Sequence, residues 1–125
     1  MLELTRPWLP VLLVALLFAL WGLLRWSRRV RFKLSVREGD GLGTEFLVRG
    51  REATIGRDDD QTVVVSHPQV SRHHAVIVWE GGEYVLKDRS KHGLEVNGRP
   101  VETTPLRSGD LISVGAAVDL IFTRF

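Results

Sequence analysis

The segment "VSRHHAVIVW", residues 70–79, places a serine, an arginine and two adjacent histidines directly ahead of an apolar run. A serine near a histidine is the arrangement of a nucleophile and its general base, and paired histidines are a common beginning of a metal site. The same residue types also bind anionic groups without reacting with them. Which of these three chemistries applies depends on the elements that position the side chains.

One long apolar stretch precedes this segment. Residues 7–24 read "PWLPVLLVALLFALWGLL", eighteen residues without a charge. As a helix they would span about 27 Å, close to the thickness of a bilayer's hydrocarbon core. Trp8, Trp21 and Trp26 lie near its ends, where indole rings favour the boundary between water and lipid. The stretch predicts a single N-terminal transmembrane helix.

The basic block that follows sets the expected orientation. Residues 25–33, "RWSRRVRFK", hold five basic residues and no acid, and such a block resists translocation. We therefore expect an uncleaved membrane anchor in residues 1–29, with the N-terminus outside the cell membrane and residues 30–125 in the cytoplasm. A cleaved signal peptide is the alternative, but no small-residue cleavage site follows the apolar stretch.

Cysteine content and charge limit the classes of function. The chain has no cysteine, which excludes a disulfide framework and fits a reducing compartment. Residues 1–29 hold 4 of the 17 basic residues and 1 of the 15 acidic ones, which leaves 13 basic and 14 acidic residues from Val30 onward. This part is close to neutral, so nucleic-acid binding, which requires a basic surface, is not expected.

From Val30 onward, apolar and polar residues alternate with the period of a strand. In "VRFKLSV", the side chains of Val30, Phe32, Leu34 and Val36 fall on one face. "EGGE" at residues 80–83 is a two-residue hairpin signal, and "AVIVW" predicts a central strand covered on both faces. Many short strands without helical periodicity predict an all-β sandwich or barrel. Further strands are predicted at 44–49, 52–55, 62–65, 75–79, 83–87, 94–96, 111–114 and 118–123.

Three polar stretches follow predicted strands: "TIGRDDD" (54–60), "VSRHHAV" (70–76) and "DRSKHGLEVNG" (88–98). Gly-Arg, then Ser-x-x-His fourteen residues later, then a polar turn and Asn-Gly, is a pattern that resembles the forkhead-associated (FHA) domain. With the closing "LRSGDLISVG" (106–115), the resemblance covers about residues 31–125. It implies an FHA-type antiparallel β-sandwich that captures phosphothreonine peptides.

The resemblance also implies a role for each matching residue. Arg57 would supply a planar guanidinium to the phosphate, and Ser71 would donate its hydroxyl to a phosphate oxygen. Gly56 would let the turn place Arg57. The motif histidine would be His74, not His73, and would brace the binding loops without touching phosphate. Asn97 and Gly98 would form a hairpin turn that supports the neighbouring loop.

Three positions depart from the common family pattern. Arg72 stands where an Asn usually follows the motif serine, and it adds positive potential. Lys91 and His92 stand where the next loop usually carries Thr-Asn. Lys91 can reach phosphate as a point charge, whereas His92 donates one hydrogen bond but cannot reproduce the paired donor and acceptor of an amide. These three residues complete the expected phosphopeptide site, with an altered clamp on the peptide backbone.

Catalysis and metal binding are the alternative readings of this segment. A Ser–His hydrolase needs a third group that orients the histidine and an oxyanion site, and no acid is placed nearby for this purpose. A metal site needs three or four ligands, and His73 and His74, as neighbours on a strand, are expected to face opposite ways. The sequence therefore predicts no enzyme, no metal, no cofactor and no small-molecule substrate.

The predicted function is that of a membrane-anchored cytoplasmic reader of phosphothreonine. One N-terminal span followed by an FHA domain resembles small bacterial membrane proteins that work alongside Ser/Thr kinases. The resemblance implies recruitment of phosphorylated partners, such as a kinase or its membrane, cell-division or cell-wall substrates. The alternative is an FHA-fold scaffold that binds proteins without phosphate, because Lys91 and His92 alter the peptide clamp.

Overall fold

The computed structural model describes residues 6–27, 29–38 and 41–125. Its first element is helix α1, Trp8–Ser27, which contains most of the predicted apolar stretch. Pro10 lies in the first turn, where the helix needs no backbone donor. The 20 residues of α1 cover roughly 30 Å at 1.5 Å per residue. From Trp8 to Arg25 the helix is not buried against any other part of the described chain.

Eleven strands follow α1 in the described residues. Nine of them lie where the alternation predicts strands. The short strands β8 and β9 were not predicted, because each is only two or three residues long and contains a proline. The strands are β1 Phe32–Glu38, β2 Gly41–Val48, β3 Glu52–Gly56, β4 Val63–Val64, β5 Ala75–Glu80, β6 Glu83–Asp88, β7 Leu94–Val96, β8 Arg99–Pro100, β9 Thr103–Pro105, β10 Leu111–Val114 and β11 Val118–Arg124.

The strands form two sheets that share one core. The first has the order β2-β1-β11-β10-β7-β8, and the second has the order β4-β3-β5-β6-β9. The described pairings are antiparallel except that of β3 with β4, which is parallel because residues 57–62 loop out and return the chain in the same direction. The predicted sandwich is confirmed, but its second sheet is mixed and not purely antiparallel.

The core is built from the inward-facing side chains of both sheets. The ring of Phe32 lies 4.7 Å from that of Tyr84 and 5.2 Å from that of Phe122, measured between centroids. Such aromatic pairs contribute about 0.5–1.5 kcal/mol each beyond the area they bury. Every buried apolar side chain in the described residues lies between Phe32 and Phe122. The sandwich therefore needs no contact with α1 to complete its core.

Strand β5 is central in its sheet, as its apolar sequence predicts. Ala75, Val76 and Ile77 are buried, whereas Val78 and Trp79 are only half-buried. The strand is therefore covered on both faces over its first half only. The hairpin that joins β5 to β6 is confirmed, since both glycines at its tip have positive φ, 58° and 81°.

The strand register separates two ends of the sandwich. Ala75 pairs with both Ile55 and Asp88, so β3 ends, β5 begins and β6 ends at the same edge. The loops 57–62, 65–74 and 89–93 emerge there, and we term this the loop end. Strand β11 runs away from it, and its Arg124 pairs with Phe32 at the start of β1. The chain therefore enters the sandwich at the opposite end, which we term the anchor end.

Candidate functional site

The three loops of the loop end enclose a single groove of about 600 Å³. All five side chains that the sequence predicts to contact a ligand line this groove. Among the described residues that line it, none is acidic and four carry a permanent positive charge. The lining consists of Arg57, Pro68, Val70, Ser71, Arg72, His73, Arg89, Lys91 and His92.

Gly56 permits the close approach of two loops at the rim of the groove. A Cβ atom on Gly56 would lie 2.0 Å from the carbonyl oxygen of Arg72, so a larger residue requires the backbone to move. Directly after it, the backbone N–H of Arg57 donates to the carbonyl of Ser71 at 3.1 Å. This bond holds the backbones of Arg57 and Ser71 together, and both residues line the groove.

His74 is fully buried behind the groove and joins two loops. Its Nδ1 accepts a hydrogen bond from the backbone N–H of Ser71 at 3.0 Å. Nδ1 is therefore unprotonated, so Nε2 carries the hydrogen and donates to the carbonyl of Gly93 at 2.8 Å. Burial lowers the pKa of His74, while the bond to Gly93 and the charge of Asp88 act in the opposite direction. Both ring nitrogens are engaged by the backbone, which leaves neither as a base for the Ser71 hydroxyl.

The hydroxyl of Ser71 links the same two loops from the groove side. Its Oγ accepts a hydrogen bond from the backbone N–H of Lys91 at 3.1 Å. A serine hydroxyl has one hydrogen and two lone pairs, so accepting this bond leaves its hydrogen available for donation. Ser71 can therefore hold the Lys91 loop and donate to a ligand oxygen simultaneously.

Asp88 and Ser90 stabilise the loop 89–93 and were not singled out from the sequence. Asp88 Oδ1 accepts hydrogen bonds from the Ser90 hydroxyl at 2.6 Å and from the Ser90 backbone N–H at 2.9 Å. The Ser90 Oγ in turn accepts from the N–H of Gly93 at 2.9 Å. The signal was present in the sequence, because an Asp two residues before a Ser is typical of a side-chain-capped turn.

Arg89 is a further groove residue that the sequence reading missed. Its backbone N–H donates to the carbonyl of His74 at 2.8 Å, and its exposed side chain lines the groove. Its position, two residues before Lys91 in the same polar turn, was the available signal. Pro68 and Val70 add an apolar wall, and Val70 itself is buried in the core.

The acidic turn after Arg57 contacts His73, which itself lines the groove. The amide nitrogen of Gln61 donates to Asp60 at 3.0 Å and is bonded to His73 Nδ1 at 2.9 Å, and His73 Nε2 lies 3.5 Å from Asp58. One ligand atom each from Asp58, Asp60 and His73 lies within 4.8 Å of the others, a spacing that exposed acidic groups commonly show without a metal. The absence of a metal stays a prediction. His73 and His74 do point apart, in a turn before β5 and not on the strand.

Asn97 and Gly98 form the expected hairpin turn, with φ values of 53° and 80°. The structure does not bring them to the groove. The Asn97 amide donates to Asp110 at 3.0 Å, and its carbonyl oxygen accepts from the N–H of Leu111 at 3.0 Å. They stabilise the turn that leads into β10, at a distance from the loops that line the groove, because β7 carries the chain away from the loop end.

The arrangement suits an anion that presents several oxygens. Guanidinium groups donate in a planar fork, and a serine hydroxyl and an ammonium group complete a set of donors for a tetrahedral oxyanion. Arg57, Ser71 and Lys91 supply these three kinds of donor around one opening. The side chains of Arg57, Lys91 and His92 are exposed at the groove, so an anion carried on another chain can reach them.

Comparison with known proteins identifies the family. The FHA domain profile matches residues 53–115, a stretch that contains every predicted site residue. This chain belongs to the FHA domain family, and its sandwich is an FHA fold. The glycogen accumulation regulator GarA of Mycolicibacterium smegmatis is 35% identical over 83 residues, which cover 66% of this chain and 52% of GarA. The chain thus spans about half the length of this relative.

Two solved structures superimpose closely on the sandwich. One comes from a structural and functional analysis of phosphothreonine-dependent FHA domain interactions. It has a TM-score of 0.68 and 30% identity, covering 76% of this chain and 97% of that one. The other is the FHA domain of FhaA in complex with the intracellular domain of Rv3910. It has a TM-score of 0.65 and 32% identity, covering 73% of this chain and 98% of that one.

Proposed function

We propose that this protein binds phosphothreonine peptides through the groove at the loop end. The observation that carries the proposal is the convergence of Arg57, Ser71 and Lys91 on one opening lined by no described acidic residue. Arg57 binds the phosphate with its guanidinium, Ser71 donates its hydroxyl, and Lys91 adds a point charge. Arg72 and His92 contact the peptide on either side of the phosphate. Gly56 and His74 hold the loops in place.

The related proteins support an interaction function without catalysis. One related structure belongs to a study of phosphothreonine-dependent FHA domain interactions. In the other, the FHA domain of FhaA is in complex with the intracellular domain of another protein, Rv3910. We infer that the partners of this chain are phosphothreonine-containing proteins, such as a Ser/Thr kinase or its membrane, cell-division or cell-wall substrates. The groove recruits them, and no chemical step follows.

The second candidate function is a scaffold that binds proteins without phosphate, and the presence of His92 in the groove favours it. His92 lines the groove where family members carry an asparagine, and a histidine lacks the paired donor and acceptor of an amide. Comparing the binding of phosphorylated and unphosphorylated peptides distinguishes the two candidate functions. The full chain is titrated with a phosphothreonine peptide library and with the same library unphosphorylated. Binding to the phosphorylated library alone supports the reader, and equal binding to both supports the scaffold.

We further propose that α1 anchors the protein in the cell membrane. It is long and apolar enough to cross a bilayer, although a signal sequence passes the same test of length and composition. Cationic side chains stack on indole rings near both ends, with Arg6 5.8 Å from the Trp8 ring and Arg25 4.8 Å from the Trp21 ring. Such pairs suit the headgroup region on each side of a bilayer. The side chain of Trp26 lies outside the described residues.

The anchor orients the protein with its N-terminus outside and the FHA domain in the cytoplasm. The chain has no cysteine, so single cysteines introduced at Thr5 and at the exposed Ser66 report topology without background. In intact cells, a membrane-impermeant maleimide labels Thr5→Cys and not Ser66→Cys if this orientation is correct. Extraction of the chain from membranes by alkaline carbonate would contradict the anchor itself.

A further inference from the structure

The anchor end of the sandwich carries a second groove that the phosphopeptide site does not use. It encloses about 320 Å³, and its described lining combines three arginines with aromatic rings and no acidic residue. The lining consists of Arg29, Val30, Arg31, Trp79, Tyr84, Arg124 and Phe125. We propose that this groove binds the anionic phospholipid headgroups of the membrane that holds α1. The proposal rests on the anchoring function proposed for α1.

Arg124 is the cation of this groove whose guanidinium lies over the aromatic rings. Its guanidinium lies 5.0 Å from the ring centroid of Trp79 and 5.7 Å from that of Tyr84. The two rings pack edge to face at 4.8 Å, and Tyr84 is buried in the core, so the platform beneath the guanidinium is fixed. Stacking engages the face of a guanidinium and directs its N–H donors to the rim, where they can meet phosphate oxygens.

The remaining groove residues are held beside this platform by backbone bonds. The N–H of Phe125 donates to the carbonyl of Arg31 at 3.0 Å, and the N–H of Arg31 donates to Val48 at 2.8 Å. The Phe125 ring is 68% exposed. An exposed aromatic ring next to cations is the composition of surfaces that rest on a membrane, where the ring enters the interface and the cations meet headgroups.

Chain connectivity identifies the occupant as lipid. Helix α1 ends at Ser27, and Arg29 already lines the groove. Two residues span at most about 7 Å, so the groove stays at the membrane boundary whatever the tilt of the helix. The cytoplasmic leaflet carries a negative surface potential that acts within about a Debye length, and the groove lies within this range.

Residues 29–125 carry no net charge, so their basic residues can attract anionic lipid only where they are clustered. Adding Arg29 to the 13 basic residues from Val30 onward gives 14, which equals the 14 acidic residues of the same stretch. The acids at the anchor end, Glu52, Glu80, Glu83 and Asp110, lie outside the groove lining. Glu80 is paired with Lys87 at 2.6 Å, and Asp110 accepts a hydrogen bond from the Asn97 amide at 3.0 Å. Charge-dependent membrane binding must therefore come from a local cluster, because the net charge supplies none.

With the anchor end resting on the bilayer, the phosphopeptide groove faces away from the membrane. The two grooves lie at opposite ends of strands that run through the sandwich, such as β11 with seven residues. At about 3.3 Å per residue, the loop end then stands roughly 20 Å above the headgroups and faces the cytoplasm. A membrane partner must present its phosphothreonine at least this far from the bilayer.

The test uses residues 29–125, which hold the complete core, in sedimentation with phosphatidylcholine vesicles that contain or lack phosphatidylglycerol. We expect binding only with phosphatidylglycerol, weakened about fivefold by each of Arg29→Gln and Arg124→Gln, since each cation near an anionic surface contributes this much. Arg37→Gln, which removes the same charge at the other end of β1, is expected to bind like the parent fragment.

Three outcomes would overturn the proposal. The first is equal binding to both kinds of vesicle, and the second is vesicle binding that Arg124→Gln leaves unchanged. The third is vesicle binding that is lost in Arg57→Gln and not in Arg124→Gln. The last outcome would assign lipid to the phosphopeptide groove. Retained phosphopeptide affinity in Arg124→Gln shows that the variant is folded. Carbonate extraction of the full chain tests α1 separately, so failure of the anchor and failure of the groove are distinguished.

Discussion

The hydroxyl oxygen of Ser71 accepts a hydrogen bond from the backbone N–H of Lys91, 3.1 Å away, and so joins two of the three loops that line the groove. In the proposed complex, the same hydroxyl donates its own hydrogen to a phosphate oxygen. Ser71→Ala removes both interactions, and a hydrogen bond to a charged group contributes about 1.5–3 kcal/mol. We expect phosphothreonine-peptide affinity to fall at least about tenfold in calorimetric titration. Ser66→Ala, at an exposed position outside the groove lining, is the matched control, and an equal loss there would contradict the assignment.

Gly56 is required by the close approach of the Arg72 carbonyl. Because a Cβ at this position would meet that oxygen at 2.0 Å, Gly56→Ala must displace one of the two loops. Such overpacking destabilises a fold by about 1–3 kcal/mol. Gly50→Ala is the control, since its nearest neighbour lies at an ordinary 3.6 Å. In thermal unfolding, Gly56→Ala should have a lower midpoint than the wild-type chain, whereas Gly50→Ala should not. Equal midpoints for the two variants would show that the loops accommodate the added Cβ without loss of stability.

The burial of His74 makes the stability of the sandwich depend on pH. Burial lowers its pKa in the folded state below the ordinary 6.5, so the unfolded chain takes up a proton at higher pH than the folded chain does. The free energy of unfolding therefore decreases as pH falls through 6.5 and levels off once the folded histidine also protonates. One proton limits the slope to about 1.4 kcal/mol per pH unit.

Urea unfolding between neutral pH and pH 5 measures this dependence. His74→Gln, which keeps a neutral donor and acceptor, should show a smaller decrease than the wild-type chain over the same range. His67→Gln, at a half-buried ring outside the groove, should retain the wild-type decrease. A decrease that is as large in His74→Gln as in the wild type would assign the pH dependence to other groups.

His92 lines the groove at the position where the resemblance to the family implies an asparagine. An asparagine there would offer both a donor and an acceptor to the peptide backbone, as the resemblance to other family members implies. We expect His92→Asn to strengthen phosphothreonine-peptide binding about three- to tenfold, the range of one net hydrogen bond. Binding is compared by calorimetry with His67→Asn as control. Weaker binding in His92→Asn would contradict this expectation, because it would show that the single hydrogen bond of the histidine stabilises the complex more than the paired donor and acceptor of an amide.

The sequence predicted most of the fold because its signals are local. Alternating strands and the Gly81-Gly82 hairpin are set by neighbouring residues, and both appear in the structure. Strands β8 and β9 were not predicted because their own residues do not alternate between apolar and polar. They form because they pair with β7 and β6. The parallel pairing of β4 with β3 is likewise a property of the tertiary fold.

The candidate site was predictable where a motif carried it. The sequence pattern placed Arg57, Ser71 and His74 in one site, and the structure brings Arg57 and Ser71 to the groove, with His74 directly behind them. Arg89 was missed because a loop arginine has no periodicity, and only the fold turns it towards Lys91. Asn97 is the opposite case, because the motif assigns it to the site although it does not line the groove. Its side chain is hydrogen-bonded to Asp110 at the other end of β7.

The claim that the groove binds phosphothreonine through Arg57 can be tested by calorimetric titration of the full chain with one phosphothreonine peptide selected from an oriented library. We expect saturable binding that is lost in Arg57→Ala and retained in Arg37→Ala, which removes the same charge outside the groove. We also expect no binding of the unphosphorylated peptide. Unchanged affinity in Arg57→Ala, or equal affinity for the unphosphorylated peptide, would contradict the claim.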